Sequence, residues 1–155
     1  MSEDDLQRSR FCEVPDSPPL EEPGVAIALA GGAPGPFEPG KPIVLHGACG
    51  ATGAVLHRTR GRALAAVLLV LVRRDKPVGR MRPVLDVSSL APRPPRPEPT
   101  DEARDALLEL SYFNLDLADF FRLPDEPGRY WVMAALAGWV SDRLPFEIAA
   151  PENGS

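Results

Sequence analysis

Two histidines and two cysteines are the side chains of this chain best suited to metal binding or nucleophilic catalysis. His46, Cys49 and His57 lie in one short segment and carry donors that zinc prefers, but a zinc site takes four ligands and no fourth follows at a firm spacing. Cys49 and a histidine could also form a nucleophile and its base, yet no carboxylate is placed to orient that base. We predict that these residues hold no metal and catalyse nothing.

Two aspartates, Asp116 and Asp119, are three positions apart and could share one face of a short helix. Paired acids at such a turn are usually solvated, and Asn and Asp side chains commonly bond nearby backbone, as we expect of Asn114 and Asp116. With no acid, base or nucleophile assigned, we predict that the chain is not an enzyme and needs no cofactor.

A run of glycines follows the apolar residues 43–45. Residues 47–53 form a Gly-x-x-Gly-x-x-Gly pattern that resembles the dinucleotide turn of the extended short-chain dehydrogenases, where glycines let the backbone approach a pyrophosphate at a helix N-terminus. The resemblance implies an alternative function, a small nucleotide-dependent enzyme with Arg73 and Arg74 near a 2′-phosphate. That turn must lead into a helix, and only about two turns fit before Gly61, so we do not favour it.

Length and composition bound the class of protein. The 155 residues suffice for one domain with tails, and 19 prolines with 13 glycines favour a loop-rich all-β domain. No apolar run reaches the roughly 18–20 residues of a membrane span, and the acidic N-terminus does not look like a secretory signal. We therefore predict a cytoplasmic protein without a membrane segment, in which Cys12 and Cys49 remain free thiols.

Charge is distributed unevenly along the chain. Residues 41–97 contain eleven basic and two acidic residues, whereas residues 98–155 contain four basic and twelve acidic ones and residues 1–22 two and seven. The simplest interpretation is that the basic middle faces acidic segments within one fold. Nucleic-acid binding is the alternative, and it is disfavoured by the overall charge of −5 and by the lack of aromatic residues in the middle that could stack on bases.

The pattern of turns and alternating apolar residues divides the chain into tails and one domain. We predict an acidic, disordered tail over residues 1–22, a β domain over 23–150 with a stiff proline-rich loop at 91–99, and a C-terminal tail at 151–155. The segment 63–72 is predicted to be a strand buried on both faces, and a bulge is expected near residues 111–112. Strands are predicted at 24–30, 43–46, 63–72, 81–87, 107–117, 130–136 and 144–148.

Tyr130 follows a Pro-Gly turn and opens the alternating run 130–136. A Gly-x-Tyr at the start of a strand resembles the tyrosine corner of immunoglobulin-like sandwiches, and residues 115–148 are similar to the last strands of bacterial Ig-like and macroglobulin-like domains. The resemblance implies an all-β, Ig-like antiparallel sandwich of about seven strands. It also implies that the Tyr130 ring fills the core while its hydroxyl bonds upstream backbone. Such motifs specify architecture rather than function.

Three large apolar residues, Trp131, Met133 and Trp139, are the candidates for an interaction site. If Tyr130 faces the core, Trp131 and Met133 face away from it, and Trp139 lies by the turn before the final strand. Either another protein covers them, or the N-terminal segment or the proline-rich loop does; the N-terminal segment is poor in apolar residues, which favours another protein. We predict a non-catalytic protein-interaction or assembly subunit of a bacterial cell that binds a protein partner or itself.

Overall fold

Antiparallel β-structure dominates this chain in a computed structural model that describes residues 3–75, 78–86, 90–123 and 127–150. The strands are β1 Gly24–Leu29, β2 Val44–Thr52, β3 Leu68–Arg73, β4 Val78–Pro83, β5 Leu107–Asp116, β6 Gly128–Leu136, β7 Trp139–Val140 and β8 Leu144–Ile148. The α-helices are short: α1 Glu3–Arg8, α2 Gly53–Arg58, α3 Asp101–Arg104 and α4 Leu117–Phe120. The predicted all-β class is confirmed, and the described residues form eight strands where about seven were predicted.

The strands form two sheets, and within each sheet some neighbouring strands are not consecutive in the chain. One sheet has three strands in the order β1-β2-β5, and the other has five, with β4, β3 and β6 side by side and both β7 and β8 paired to β6. Apolar side chains of both sheets meet in one core, which includes Val25, Leu45 and Phe113 from the first and Leu69 and Val132 from the second. The chain is therefore a two-layer β-sandwich.

Tyr130 contributes to this core as predicted. Its side chain is buried and its ring is stacked on that of Phe146, with the centroids 5.4 Å apart. The expected hydroxyl bond to upstream backbone stays a prediction, because residues 124–126, just before the turn, lie outside the described part of the chain.

The glycine run does not form the dinucleotide-like turn, an alternative that we did not favour; strand β2, predicted to end at residue 46, continues through it to Thr52. Gly47 and Gly50 lie inside strand β2, which pairs with β1 on one side and β5 on the other. A Cβ on Gly47 would lie 2.0 Å from Cζ of Phe113, so the aromatic ring occupies the space that a side chain would need. Only Gly53 begins a helix, and that helix has six residues. Gly47 allows close packing between the strand and the Phe113 ring, whereas Gly50 lies against Leu107, Leu20 and the Glu22 carbonyl.

Three other strand predictions need correction. Residues 63–66 are a 3-10 helix, and β3 is fully buried on one face only, at Leu69 and Leu71. Strand β4 spans Val78–Pro83, whereas the predicted strand 81–87 began later and continued past the proline. Residues 87–89 lie outside the described part. In β5 the register shifts opposite Ala51 and Thr52 rather than near residue 111.

Arginines of the basic middle bind carbonyl groups where the two layers meet. Arg80 Nη1 donates to the Phe121 carbonyl oxygen at 2.6 Å, and Arg82 Nη1 donates to that of Phe120 at 2.5 Å. The Arg82 guanidinium also lies 4.9 Å from the Phe120 ring centroid. These contacts join β4 of one sheet to α4, which follows β5 of the other, because the last carbonyls of a helix lack partners within it.

The N-terminal segment lies on the outer side of the three-stranded sheet, so the predicted disordered tail is not confirmed. Asn114 Nδ2 donates to the carbonyl oxygens of Ser9 and Cys12, and the Asn114 backbone N–H donates to that of Arg10. Beneath this segment His46 Nδ1 lies 2.7 Å from Asn114 Oδ1. The amide oxygen can only accept, and both amide hydrogens of Asn114 are bonded to other groups, so His46 Nδ1–H is the donor. The amide thus joins a buried imidazole to the N-terminal segment. The predicted C-terminal tail, 151–155, lies outside the described residues.

The two cysteines are free thiols in different surroundings. Cys12 is exposed, whereas Cys49 lies in the core on the inner side of β2. Burial, together with the negative charge of Glu109, raises the pKa of the Cys49 thiol from its ordinary 9.0 to about 11. The thiol is therefore protonated and unreactive at neutral pH.

The raised pKa of Cys49 predicts that stability falls in alkaline solution. Between about pH 9 and 11 the unfolded chain loses the thiol proton while the folded chain keeps it, so the free energy of unfolding decreases by about 1.4 kcal/mol per pH unit. The measurement is urea unfolding of wild type and Cys49→Ala across this pH range. All other titratable groups are common to the two proteins, so the difference between their free energies of unfolding reports the Cys49 thiol. The difference in stability between the two proteins should change with pH; parallel curves would contradict the raised pKa.

Candidate protein-interaction surface

The outer side of the five-stranded sheet carries a contiguous patch of uncharged residues. The strand register places Val72 opposite Trp131, Val70 opposite Met133 and Leu68 opposite Ala135, all pointing away from the core. Strands β4, β7 and β8 extend these rows with further uncharged residues. We call this surface the outer apolar face, and its members are Leu68, Val70, Val72, Gly79, Met81, Pro83, Trp131, Met133, Ala135, Val140 and Pro145.

Exposure is greatest at the margins of the outer apolar face. Met81 is 66% exposed and Val140 is 63% exposed, whereas Trp131 and Met133 in the middle are half-buried. The Arg143 guanidinium stacks over the Trp131 ring at 4.7 Å from its centroid. None of the eleven residues carries a charge, but an apolar surface that covers Trp131 would have to displace or desolvate the Arg143 guanidinium.

Two of the three predicted interaction residues lie in this face, and the third does not. Trp131 and Met133 point away from Tyr130, as the alternation predicted. Trp139 follows the turn at residues 137–138 but lies opposite the buried Leu136, on the core side of the sheet. Its side chain packs over Gly24 of β1, where a Cβ would lie 3.6 Å from the Trp139 Cβ and Cγ atoms. Trp139 therefore closes the edge between the two sheets.

Most of the face was not anticipated from the sequence. Val70 and Val72 were assigned to a strand buried on both faces, and Met81 and Val140 were not considered. In the structure, burial alternates along β3: Leu69 and Leu71 are buried, whereas Leu68, Val70 and Val72 are half-buried. Apolar residues occupy both parities of that strand, however, and hydropathy alone cannot tell a second buried side from an uncovered one.

Both segments that were expected as possible covers lie elsewhere. The N-terminal segment is bound to the three-stranded sheet through Asn114, and Gly50 of that sheet lies under Leu20 and the Glu22 carbonyl. The proline-rich loop lies along the end of α2, where His57 and Arg60 bond its carbonyls. Neither of these described segments therefore covers the outer apolar face.

The residues considered for catalysis and metal binding are dispersed. His46 and Cys49 lie on opposite sides of β2, and His57 bonds a loop carbonyl. Asp116 accepts hydrogen bonds from the Ile43 and Ala118 backbone N–H groups, so it caps α4 rather than pairing with Asp119. Across the described ranges, no three His, Cys, Asp or Glu side chains converge as a possible metal site. None of the described helices is long and apolar enough to span a bilayer.

A cleft of about 450 Å³ lies between α1 and α4. Arg10 and Lys41 line it together with Asp116 and Asp119, and apolar residues such as Leu123 complete it. Asp116 already accepts two backbone hydrogen bonds, so its carboxylate has a structural role. We therefore assign the charged residues of this cleft to the packing of the N-terminal segment rather than to a reaction.

Comparison with known proteins adds no relative to these observations. Neither a protein-family model, nor a curated protein, nor a solved structure matches this chain. A functional assignment therefore rests on the chain's own surfaces and side chains.

Proposed function

We propose that this chain is a non-catalytic protein-interaction subunit, built on an Ig-like sandwich, that self-associates through the outer apolar face. The observation that carries the proposal is the set of three apolar rows across the five-stranded sheet, with Trp131 and Met133 at their centre and no charge within them. Fully burying a large apolar side chain stabilises an assembly by roughly 1.5–3 kcal/mol, which favours covering this face.

The order of the strands supports the Ig-like arrangement. Strands β1, β2 and β5 match the A, B and E strands of such sandwiches, and β4, β3, β6 and β8 match C′, C, F and G. Tyr130 then lies at the start of the F-like strand, where a tyrosine corner belongs. In this arrangement the outer apolar face is the exposed side of the C′-C-F-G sheet.

A second copy of the chain is the partner that this surface fits best. The face is one side of a β-sheet, and sheets pack on one another face to face. At one end Arg129 lies opposite Glu147, so the rim offers both signs of charge to a copy related by a two-fold axis. From strand and residue spacings, the apolar centre covers about 400 Å² per copy, about half of a standard interface, so we expect a reversible dimer of micromolar affinity.

The test is the effect of Trp131→Ser on self-association. We expect wild type to show a concentration-dependent dimer in sedimentation velocity and light scattering, and Trp131→Ser to shift it to monomer without changing the circular dichroism spectrum. Leu108→Ser is the matched control, because Leu108 is 52% exposed on a strand of the other sheet. It should dimerise like wild type.

Two results would count against this function. A wild-type protein that stays monomeric at millimolar concentration would exclude the second copy as the partner. A Trp131→Ser protein that loses its folded spectrum would show that Trp131 contributes to the core, and the outer apolar face would then have no residue-level support.

A further inference from the structure

The proline-rich loop is fixed along the end of helix α2 by three hydrogen bonds. The His57 Nδ1–H donates to the Arg96 carbonyl oxygen at 2.7 Å, and Arg60 Nη1 donates to that of Arg93 at 3.1 Å. Arg62 Nη2 donates to the Ala91 carbonyl. The chain numbers rise on one side as they fall on the other, so the loop runs antiparallel to residues 57–62. The proline-rich loop therefore forms one wall of a cleft.

Arginines from both walls gather at this junction. Arg58, Arg60 and Arg62 come from the end of α2, and Arg93 and Arg96 come from the loop. The Arg96 guanidinium lies against Gly61, where a Cβ would be 2.7 Å from its Nη2 atom. Because guanidiniums repel one another, such a cluster needs anions nearby.

Among the residues that the structure describes, no acid neutralises this cluster. Within the described ranges, none of the five guanidiniums has a carboxylate within 4 Å; the ion pair found there joins Arg73 to Asp75. The Arg62 Nε–H is buried and has no acceptor among the described atoms. The expected pairing of the basic middle with acidic segments is therefore not made here, although the whole chain is acidic with a net charge of −5.

The cleft between the arginines has an apolar floor. Its volume is about 390 Å³, and Ala65, Ala66, Leu90 and Pro92 line it alongside Arg58, Arg60, Arg62 and Arg93. Leu90 is 40% exposed. A ligand that fits must combine negative charge with an apolar group of about the size of one side chain.

We propose that this cleft binds an acidic peptide segment of another protein, in which carboxylates flank an apolar side chain. Guanidiniums bind carboxylates through two parallel hydrogen bonds, and the apolar floor accepts the side chain between them. A nucleic acid would also be attracted to the charge, but residues 41–97 contain no aromatic residue on which a base could stack. The cleft is separate from the outer apolar face, so this proposal does not depend on self-association.

Fluorescence anisotropy with a labelled peptide of glutamates flanking leucines tests the proposal on the full-length chain. We expect saturable binding that weakens with salt and is lost when glutamine replaces the glutamates. Serine in place of the leucines should weaken it. Arg58→Gln/Arg93→Gln should reduce the affinity roughly tenfold, because two solvent-exposed ion pairs with the peptide are lost. These two side chains make no hydrogen bond to the described residues, so their replacement should leave the fold intact.

The matched control is Arg8→Gln/Arg74→Gln, which removes the same charge from exposed sites elsewhere. It should bind the peptide like wild type, as should Trp131→Ser. Equal losses in both double variants would mean attraction by net charge alone and would overturn the site. A single-stranded oligothymidylate that binds more tightly than the peptide and displaces it would overturn the peptide assignment, and so would the absence of saturable peptide binding.

Discussion

Gly47→Ala is expected to destabilise the domain by at least about 3 kcal/mol, because one methyl group has no room in strand β2. The added Cβ would lie 2.0 Å from Cζ and 2.3 Å from Cε1 of Phe113, a ring that is fully buried between the sheets. Neither atom can move away without shifting β2 or β5, which pair along their whole length. Urea unfolding followed by circular dichroism measures the loss.

A second glycine in a strand provides the control for this substitution. A Cβ on Gly79, in β4, would meet its nearest described neighbours at 3.7 Å or more, an ordinary contact. Gly79→Ala should therefore be neutral or stabilising by up to about 1 kcal/mol, since alanine suits a strand better than glycine. If the two substitutions cost the same, the contact with Phe113 is not the reason that residue 47 is glycine.

A compensating change separates steric conflict from any other effect at Gly47. Phe113→Leu alone leaves a gap and should be destabilising. In Gly47→Ala/Phe113→Leu the new methyl group occupies part of that gap, so the double variant should be more stable than the sum of the two single effects predicts. Strict additivity would contradict direct contact between the two positions.

Asn114→Leu is expected to release the N-terminal segment and to cost about 2–4 kcal/mol. Leucine has a similar shape but cannot bond the Ser9 and Cys12 carbonyls, and it leaves the buried His46 N–H without its acceptor. The carbonyls can regain partners from water if the segment detaches, whereas His46 cannot as long as it stays covered. The physical result is local opening over residues 9–22.

Hydrogen exchange and limited proteolysis of residues 9–22 distinguish release from a general loss of stability. Both should increase in Asn114→Leu at denaturant concentrations where the core remains folded. Leu108→Ala, on the same strand but exposed, is the control and should leave both unchanged. Unaltered protection in Asn114→Leu would mean that other contacts, such as Leu20 over Gly50, hold the segment.

Local sequence patterns were sufficient for several elements. Alternating residues in 24–29, 130–136 and 144–148 identify one core-facing side, and the structure buries Val25, Tyr130 and Phe146 as expected. The cap of α3 was also predictable, because Thr100 Oγ1 accepts the Ala103 N–H three residues later. In each case the determining interaction lies within a few residues or in the period of two that any strand imposes.

Tertiary contacts decided the features that bear most on the site. The glycines at 47 and 50 look like a phosphate-binding turn until the Phe113 ring, 66 positions after Gly47, is seen to fill the space above the strand. Whether β3 is buried on one side or two depends on which segments cover its sheet. The N-terminal segment does not cover it, because hydrogen bonds from Asn114 hold that segment on the other sheet. The outer apolar face and the arginine cleft both arise from contacts between distant segments, which no local periodicity encodes.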